Sequence, residues 1–105
     1  MCPTVVTKAG VPVLALGATG GRRIPNTVFD VLLGRLVEGL SLAEAVKAPR
    51  LHTEGEKTVT MEASWPAAEA KRLEEVGYQV RRGPCASLNA IERDPISRTV
   101  RSAAR

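Results

Sequence analysis

An apolar run, Val11-Pro12-Val13-Leu14-Ala15-Leu16, leads through Gly17-Ala18-Thr19-Gly20-Gly21 into a longer apolar stretch from Val28 to Leu40. That order constrains this chain more than any other feature. The first run is short, β-prone and apolar at every position, as in a strand covered on both faces. Pro12 fits best at its start, where a missing N–H does least harm. In the second stretch Phe29, Val31, Leu32, Leu33, Leu36, Val37 and Leu40 cover most of a helical circumference. Asp30, Gly34, Arg35 and Glu38 leave a narrow polar stripe, so the pattern predicts a helix buried on most sides. Asn26, just after Pro25, reads as its N-cap.

The flanking segments extend this strand, loop and helix into an α+β pattern. Pro3 to Lys8 is β-prone and, with a turn at Ala9-Gly10, predicts a hairpin with the apolar strand. Ser41-Leu42-Ala43-Glu44 is a capping box that starts a second helix, and Pro49 stops it near Ala48. Thr58 to Glu62 alternates as a short strand. Ser64 reads as the cap of a third helix, with Pro66 in its first turn, Gly77 at its end, and Ala70, Leu73 and Val76 as its apolar side. Tyr78 to Arg82 and Ser87 to Arg93 read as two more strands, and the polar tail after Pro95 reads as loose. No repeat, low-complexity tract or linker interrupts residues 1–105, which form one domain or one piece of one.

Composition narrows the function classes. The net charge of +4 comes from 15 basic and 11 acidic residues, but the basic residues are dispersed. Arg22-Arg23, Lys71-Arg72 and Arg81-Arg82 are only doublets, and Glu74-Glu75 offsets one of them, so a solvated surface is expected and not a nucleic-acid footprint. No apolar run approaches the ~20 residues of a membrane-spanning helix. The N-terminus lacks a signal-peptide pattern, which leaves localisation open. Cys2 and Cys85 form no paired motif, and with His52 as the single histidine they make no zinc site. Two reduced thiols and no metal or cofactor are the expectation.

A glycine-rich loop between a buried strand and a helix presents backbone N–H groups to whatever sits above it. Such a loop binds anions or stabilises the oxyanion of acyl transfer. Gly20 and Gly21 carry no Cβ to prevent two successive amides from turning outward. By pattern alone a plain tight turn is the favoured reading. The segment is not GxGxxG, and no Gly-Lys-Ser/Thr completes a phosphate loop.

Four segments, in order along the chain, carry a resemblance. Met1-Cys2-Pro3-Thr4-Val5-Val6 resembles the Met-Ser-Pro-Thr-Ile-Val stretch of γ-glutamyltranspeptidases. Leu16-Gly17-Ala18-Thr19-Gly20-Gly21-Arg22-Arg23-Ile24 is similar to that family's Gly-Ser-Pro-Gly-Gly-Ser-Arg-Ile loop. Leu42 to His52 resembles its Glu-Ala-Val-x-Ala-Pro-Arg-x-His segment, and Ser87-Leu88-Asn89-Ala90-Ile91 is similar to a late strand. Thr19, Arg22 and Cys2 replace a proline and two serines of the family pattern.

The resemblance implies the C-terminal half of an N-terminal-nucleophile (Ntn) hydrolase αββα sandwich, with antiparallel strands and helices of one outer layer. It also implies γ-glutamyl transfer or hydrolysis, on glutathione or related amides, by the complete enzyme. There a precursor cleaves itself, and the new N-terminal threonine attacks the γ-glutamyl amide. Carried over by position, the oxyanion hole falls on Gly20 and Gly21. The family's nucleophile and substrate-gripping residues precede the stretch matched here, so this chain alone is expected to be inactive and to take a γ-glutamyl substrate only with the rest of the subunit. Family members are commonly periplasmic or extracellular. A missing partner segment would leave core surface open to self-association. The resemblance makes Cys2 a small buried residue of a core strand, while Cys85 and Ser87 have packing or turn roles. From the residues themselves, a structural hydrogen bond near the Pro49-Arg50 bend is expected of His52 ahead of a general-base role, and Trp65 is expected to pack the start of the third helix. The alternative from another class is a non-catalytic anion- or nucleotide-binding module using the Gly17–Gly21 loop.

Overall fold

Strands β1 (Thr4–Lys8) and β2 (Val11–Thr19) form the expected hairpin in the computed structural model, which describes residues 1–105. Its turn takes positive φ at both Ala9 (50°) and Gly10 (78°), the twist that suits a two-residue hairpin. The register shifts between Val6 and Thr7, which places Pro12 beside an irregularity where its lack of an N–H does no damage. β2 pairs antiparallel with β6 (Ser87–Arg93), and β6 pairs antiparallel with β7 (Val100–Ala104). The resulting sheet has the order β1-β2-β6-β7.

Alternation decides what this sheet buries. Leu14, Leu16 and Ala18 of β2 and Leu88 and Ala90 of β6 face one side and are buried. Helices α1 (Ile24–Leu36) and α2 (Leu42–Lys47) cover that side with Val28, Val31, Leu42, Ala45 and Val46, closing one cluster of 12 buried residues. The other side is bare: Val5 is 61% and Ile91 48% exposed. The expectation of a β2 covered on both faces is therefore corrected, because no layer of this chain packs on its second face.

Helix α1 departs from its sequence pattern in the same sense. It follows a short 3-10 turn (Gly21–Arg23) and starts at Ile24 with Pro25 in its first turn, so Asn26 lies inside the helix and is not the cap. Three of the four residues of the predicted polar stripe turn inward, while Glu38 lies exposed beyond the end of the helix. Gly34 lets Ala45 and Leu40 approach closely, Asp30 accepts the Leu51 N–H at 3.1 Å, and Arg35 bonds Glu92 at 2.7 Å. Phe29, Leu36 and Val37 are instead exposed. The predicted burial on most sides thus fails on the outer face, where the chain supplies no partner.

α2 forms as predicted. The Ser41 hydroxyl accepts the Glu44 N–H at 3.2 Å, and the Glu44 carboxylate accepts the Ser41 N–H at 2.8 Å. Beyond Pro49 the chain builds a second sheet of β3 (Leu51–Thr53), β4 (Thr58–Met61) and β5 (Gln79–Arg82), with helix α3 (Ala67–Val76) between the last two. β3 and β4 are antiparallel, but β4 and β5 run parallel, so the pairing is not antiparallel throughout. A helical crossover returns the chain to the same sheet end, which dictates a parallel neighbour. β3, at three residues, is too short to show a sequence period.

Pro66, not Ser64, occupies the N-cap of α3. Gly77 ends the helix at φ 112°, and Tyr78 N–H reaches back to the Leu73 carbonyl at 3.0 Å. Ala70 and Leu73 pack on Val59 and Met61, with Trp65 alongside, whereas Val76 is exposed. Two further expectations are corrected. The tail after Pro95 is not loose: Asp94 Oδ1 accepts the N–H groups of Ile96 and Ser97 and turns the chain into β7, whose Ala103 packs on the main core. Its strand arises from hydrogen bonds to β6, which a polar sequence does not advertise. Cys2 is exposed and precedes β1, so it is not a buried strand residue.

A candidate active-site turn

β2 continues through Gly17, Ala18 and Thr19, with Thr19 opposite Ser87 of β6, so the exposed turn shrinks to Gly20-Gly21. Each glycine has its own reason to be there. Gly20 has φ 151°, and a Cβ on it would stand 2.7 Å from the Ala86 Cβ and 2.9 Å from the Ala86 Cα. No side chain fits against that backbone. Gly21 meets no such neighbour but has φ 61°, the left-handed region where a Cβ is strained. The Gly20 carbonyl accepts the Arg23 N–H at 3.3 Å and starts the run into α1, while the Gly20 N–H donates to no group of the chain.

Ala86, the wall of the turn, is fixed from both sides. Its N–H donates to the Thr27 hydroxyl of α1 at 3.2 Å, and its carbonyl accepts from Arg50 Nη1 at 2.7 Å. Thr27 and Arg50 are buried, at 0% and 1% exposure. The second arm of the Arg50 guanidinium donates to the Val46 carbonyl at 2.7 Å. The Arg50 N–H donates to Glu62 Oε2 at 2.9 Å, and its carbonyl accepts from the Trp65 indole at 3.0 Å. Glu62 also accepts from the Arg105 guanidinium and, at 3.4 Å, from the Cys85 N–H. The structure thus joins the glycine turn and the Ala48-Pro49-Arg50 segment, 30 positions apart in the chain, through one alanine.

The ionisable groups around this hub are displaced in different directions. Burial pushes the Glu62 carboxyl up, but the Arg105 guanidinium and the Arg50 N–H outweigh it and hold the group below its usual 4.5. Burial raises Asp30 above its usual 3.8 despite the Leu51 N–H. The Cys85 thiol is pushed up to about 11 by burial and by the neighbouring Glu62 and Asp30 carboxylates. It is a protonated, unreactive thiol at neutral pH, in line with a packing role. Ser87 is an exposed residue of β6.

His52 makes a structural hydrogen bond, as expected, with a partner beyond the Pro49-Arg50 bend. It is buried in β3, and its Nε2 sits 3.3 Å from Glu54 Oε1, so its hydrogen bond is to Glu54 and not at the Pro49-Arg50 bend. Glu54 in turn accepts from Arg22 Nη1 at 3.0 Å, tying the 3-10 turn after Gly21 to β3. Trp65 does pack beside α3, and it also anchors Arg50. Sequence reasoning missed Thr27, Glu62 and Ala86. Ala86 had no signal at all, whereas a threonine among apolar helix positions and a glutamate ending a strand were weak ones. No three His, Cys, Asp or Glu side chains are grouped to hold a metal ion.

Gly20→Ala, which drives a methyl into Ala86, is expected to destabilise the chain by roughly 1–3 kcal/mol in urea unfolding. The acid limb of stability follows from the carboxyl shifts. Glu62, depressed in the folded state, contributes stability above its unfolded value that is lost as pH falls through its lower folded value. Asp30, raised in the folded state, works the other way and gains on acidification. Urea midpoints measured from about pH 6 to about pH 3 should fall less steeply in Glu62→Gln and more steeply in Asp30→Asn than in the native chain.

The geometry has counterparts in known proteins. The family model for gamma-glutamyltranspeptidase matches residues 1–105. The acylase ACY 1 proenzyme of Pseudomonas sp. (strain SE83) is 35% identical over 97 residues, which is 90% of this chain and 17% of that protein. The glutathione hydrolase proenzyme of Bacillus subtilis (strain 168) is 30% identical over 84 residues, 80% of this chain and 14% of that protein. A gamma-glutamyltranspeptidase from Pseudomonas nitroreducens, solved in complex with L-DON, superposes with a TM-score of 0.90 at 29% identity over 99% of this chain and 56% of its own. The chain therefore spans under a fifth of the curated proenzymes and just over half of that structure's chain, and its fold is the α+β, partial Ntn-hydrolase arrangement expected from the sequence. On these grounds the chain belongs to the γ-glutamyltranspeptidase family.

Proposed function

We propose that Gly20 and Gly21 form the oxyanion hole of an enzyme that transfers or hydrolyses γ-glutamyl groups, and that this chain supplies that wall of the site within a larger catalytic subunit. The observation that carries the reading is an exposed turn of two successive glycines, Gly20 at φ 151° and Gly21 at φ 61°, the first of whose N–H groups has no acceptor inside the chain. Donors fixed in place before reaction stabilise charge that develops on the substrate carbonyl, and need no reorganisation when it appears. The nucleophile, from another part of the subunit, adds to the γ-glutamyl carbonyl. Its oxygen takes the negative charge and the two amides hold it, and collapse then expels the amine. Water or an amino acid releases the acyl group in a second passage through the same geometry.

Rigidity of the turn is the contribution of this chain. Ala86 blocks one side of Gly20, and Thr27 and Arg50 pin Ala86. The match to an acylase proenzyme favours a second reading within the same chemistry, cleavage of another acyl amide, for which the same turn would serve. An anion-binding module built on Gly17–Gly21 has less support, because Gly17 to Thr19 are committed to strand pairing with β6.

A chimera tests the proposal. This chain replaces the matching segment of the Bacillus subtilis glutathione hydrolase proenzyme, and hydrolysis of a γ-glutamyl anilide is measured. Turnover is expected in the chimera and none in the 105-residue chain alone. Gly21→Ala, which strains the turn without touching Ala86, is expected to lower kcat by about 10²-fold. A folded, self-processed chimera with unchanged kcat after that substitution contradicts the reading. The bare sheet face and the outer face of α1 further propose self-association of the isolated chain. Light scattering should show mass growing with concentration, and a monomer throughout would refute it.

A further inference from the structure

At the end of the first sheet farthest from the glycine turn, β1, β6 and β7 bring charged residues to one cleft, with the uncharged β2 between the first two. β6 begins at Ser87 beside Thr19 and ends at Glu92 and Arg93, so the length of the strand separates the two places. Glu92 lies opposite Leu14 on one neighbour and Arg101 on the other. It is buried, bonded to Arg35 of α1 at 2.7 Å, with Arg101 Nη1 3.8 Å away. These residues, with Lys8, Arg93 and Asp94, line a cleft of about 260 Å³.

The charges in this cleft do not cancel. Four cations face two carboxylates, a surplus of two. Asp94 is occupied by its own turn, where the Ile96 and Ser97 N–H groups keep its carboxyl below the ordinary range. Glu92 is occupied by Arg35. Arg101 touches Glu92 only at ion-pair distance and makes no hydrogen bond to it, and Lys8 and Arg93 are in no ion pair. The cleft therefore holds unspent N–H donors of Arg101 and Lys8 beside a buried Arg35–Glu92 pair that keeps the wall in place. Leu14 and Leu36 form an apolar side of low polarisability, which concentrates the positive potential in the opening.

We propose that this cleft binds a small oxyanion, a carboxylate or phosphate group, between Lys8 and Arg101. A planar guanidinium matches either group with two parallel hydrogen bonds, and a lysine adds a movable third donor. The inference does not rest on the glycine turn being catalytic. Glu92 acts as an internal competitor: it holds Arg35 and attracts Arg101, and so sets the affinity of the site.

Isothermal titration of the 105-residue chain with inorganic phosphate, and separately with malonate, at fixed ionic strength against chloride tests this. Saturable one-to-one binding is expected for at least one of the two anions, and the preferred anion identifies the ligand class. Lys8→Ala and Arg101→Ala should each weaken it about tenfold. Glu92→Gln, which keeps a hydrogen-bond acceptor for Arg35 but removes the competing charge, should tighten it. Arg22→Ala should leave it unchanged. Lys8 is exposed and unpaired, so its variant is expected to keep the native circular dichroism melt even if the Glu92 variant does not fold. Binding indistinguishable from chloride overturns the proposal. So does binding that survives both Lys8→Ala and Arg101→Ala, or binding lost in Arg22→Ala, which would move the anion to the glycine turn.

Discussion

The buried guanidinium of Arg50 is the interaction on which the rest of the structure depends. Removing such a group from water costs several kcal/mol, and only strong acceptors offset that. Here they are two carbonyls at 2.7 Å, Val46 in the last turn of α2 and Ala86 at the entrance to β6. A carbonyl at a helix C-terminus is a favourable place for positive charge. The backbone of the same residue engages Glu62 and Trp65, so one arginine links α2 and the entrance to β6 with the segment between β4 and α3. The two apolar clusters are separate, 12 residues around α1 and α2 and three around α3. What connects them is largely polar: Arg50, Glu62, Arg105, Asp30 and the Trp65 indole.

That arrangement makes the geometry of the glycine turn a consequence of distant residues. Only glycine fits at position 20 because Thr27 and Arg50 hold the Ala86 backbone where a Cβ would stand. Van der Waals contact between Gly20 and Ala86 is directionless. The hydrogen bonds to Ala86 give it direction, and through it orient the turn. A polar joint of this kind is sensitive to any change in one partner, since the buried groups left behind have no water to turn to.

The exposed apolar surfaces tell the other half. One face of the first sheet and the outer side of α1 carry Val5, Ile91, Phe29, Leu36 and Val37 in the open. A helix that is apolar all round and a strand that is apolar on both faces are patterns for a layer packed on two sides, and this chain covers only one of them. The chain spans 56% of the similar Pseudomonas nitroreducens chain, consistent with the remaining side being met by other parts of a larger subunit.

Much of the fold was legible in the residues themselves. The Ser41–Glu44 capping box, the Ala9-Gly10 hairpin turn, the Gly77 stop and the alternation of β4 are local devices, fixed by neighbours a few positions away, and all formed as read. The glycine pair was legible as a turn, and the four family segments named the fold. Tertiary structure alone decided the rest. Asn26 and Ser64 looked like caps, but the 3-10 turn and Pro66 set those helix starts. The polar tail became β7 because β6 offered it hydrogen bonds. Three residues of the supposed outer stripe of α1 turned inward, because Asp30, Gly34 and Arg35 found Leu51, Ala45 and Glu92. Local pattern records which residues favour a turn or a helix. It does not record which distant group will satisfy a buried donor, and it was that satisfaction that set Ala86 against Gly20 and left room there for nothing but glycine.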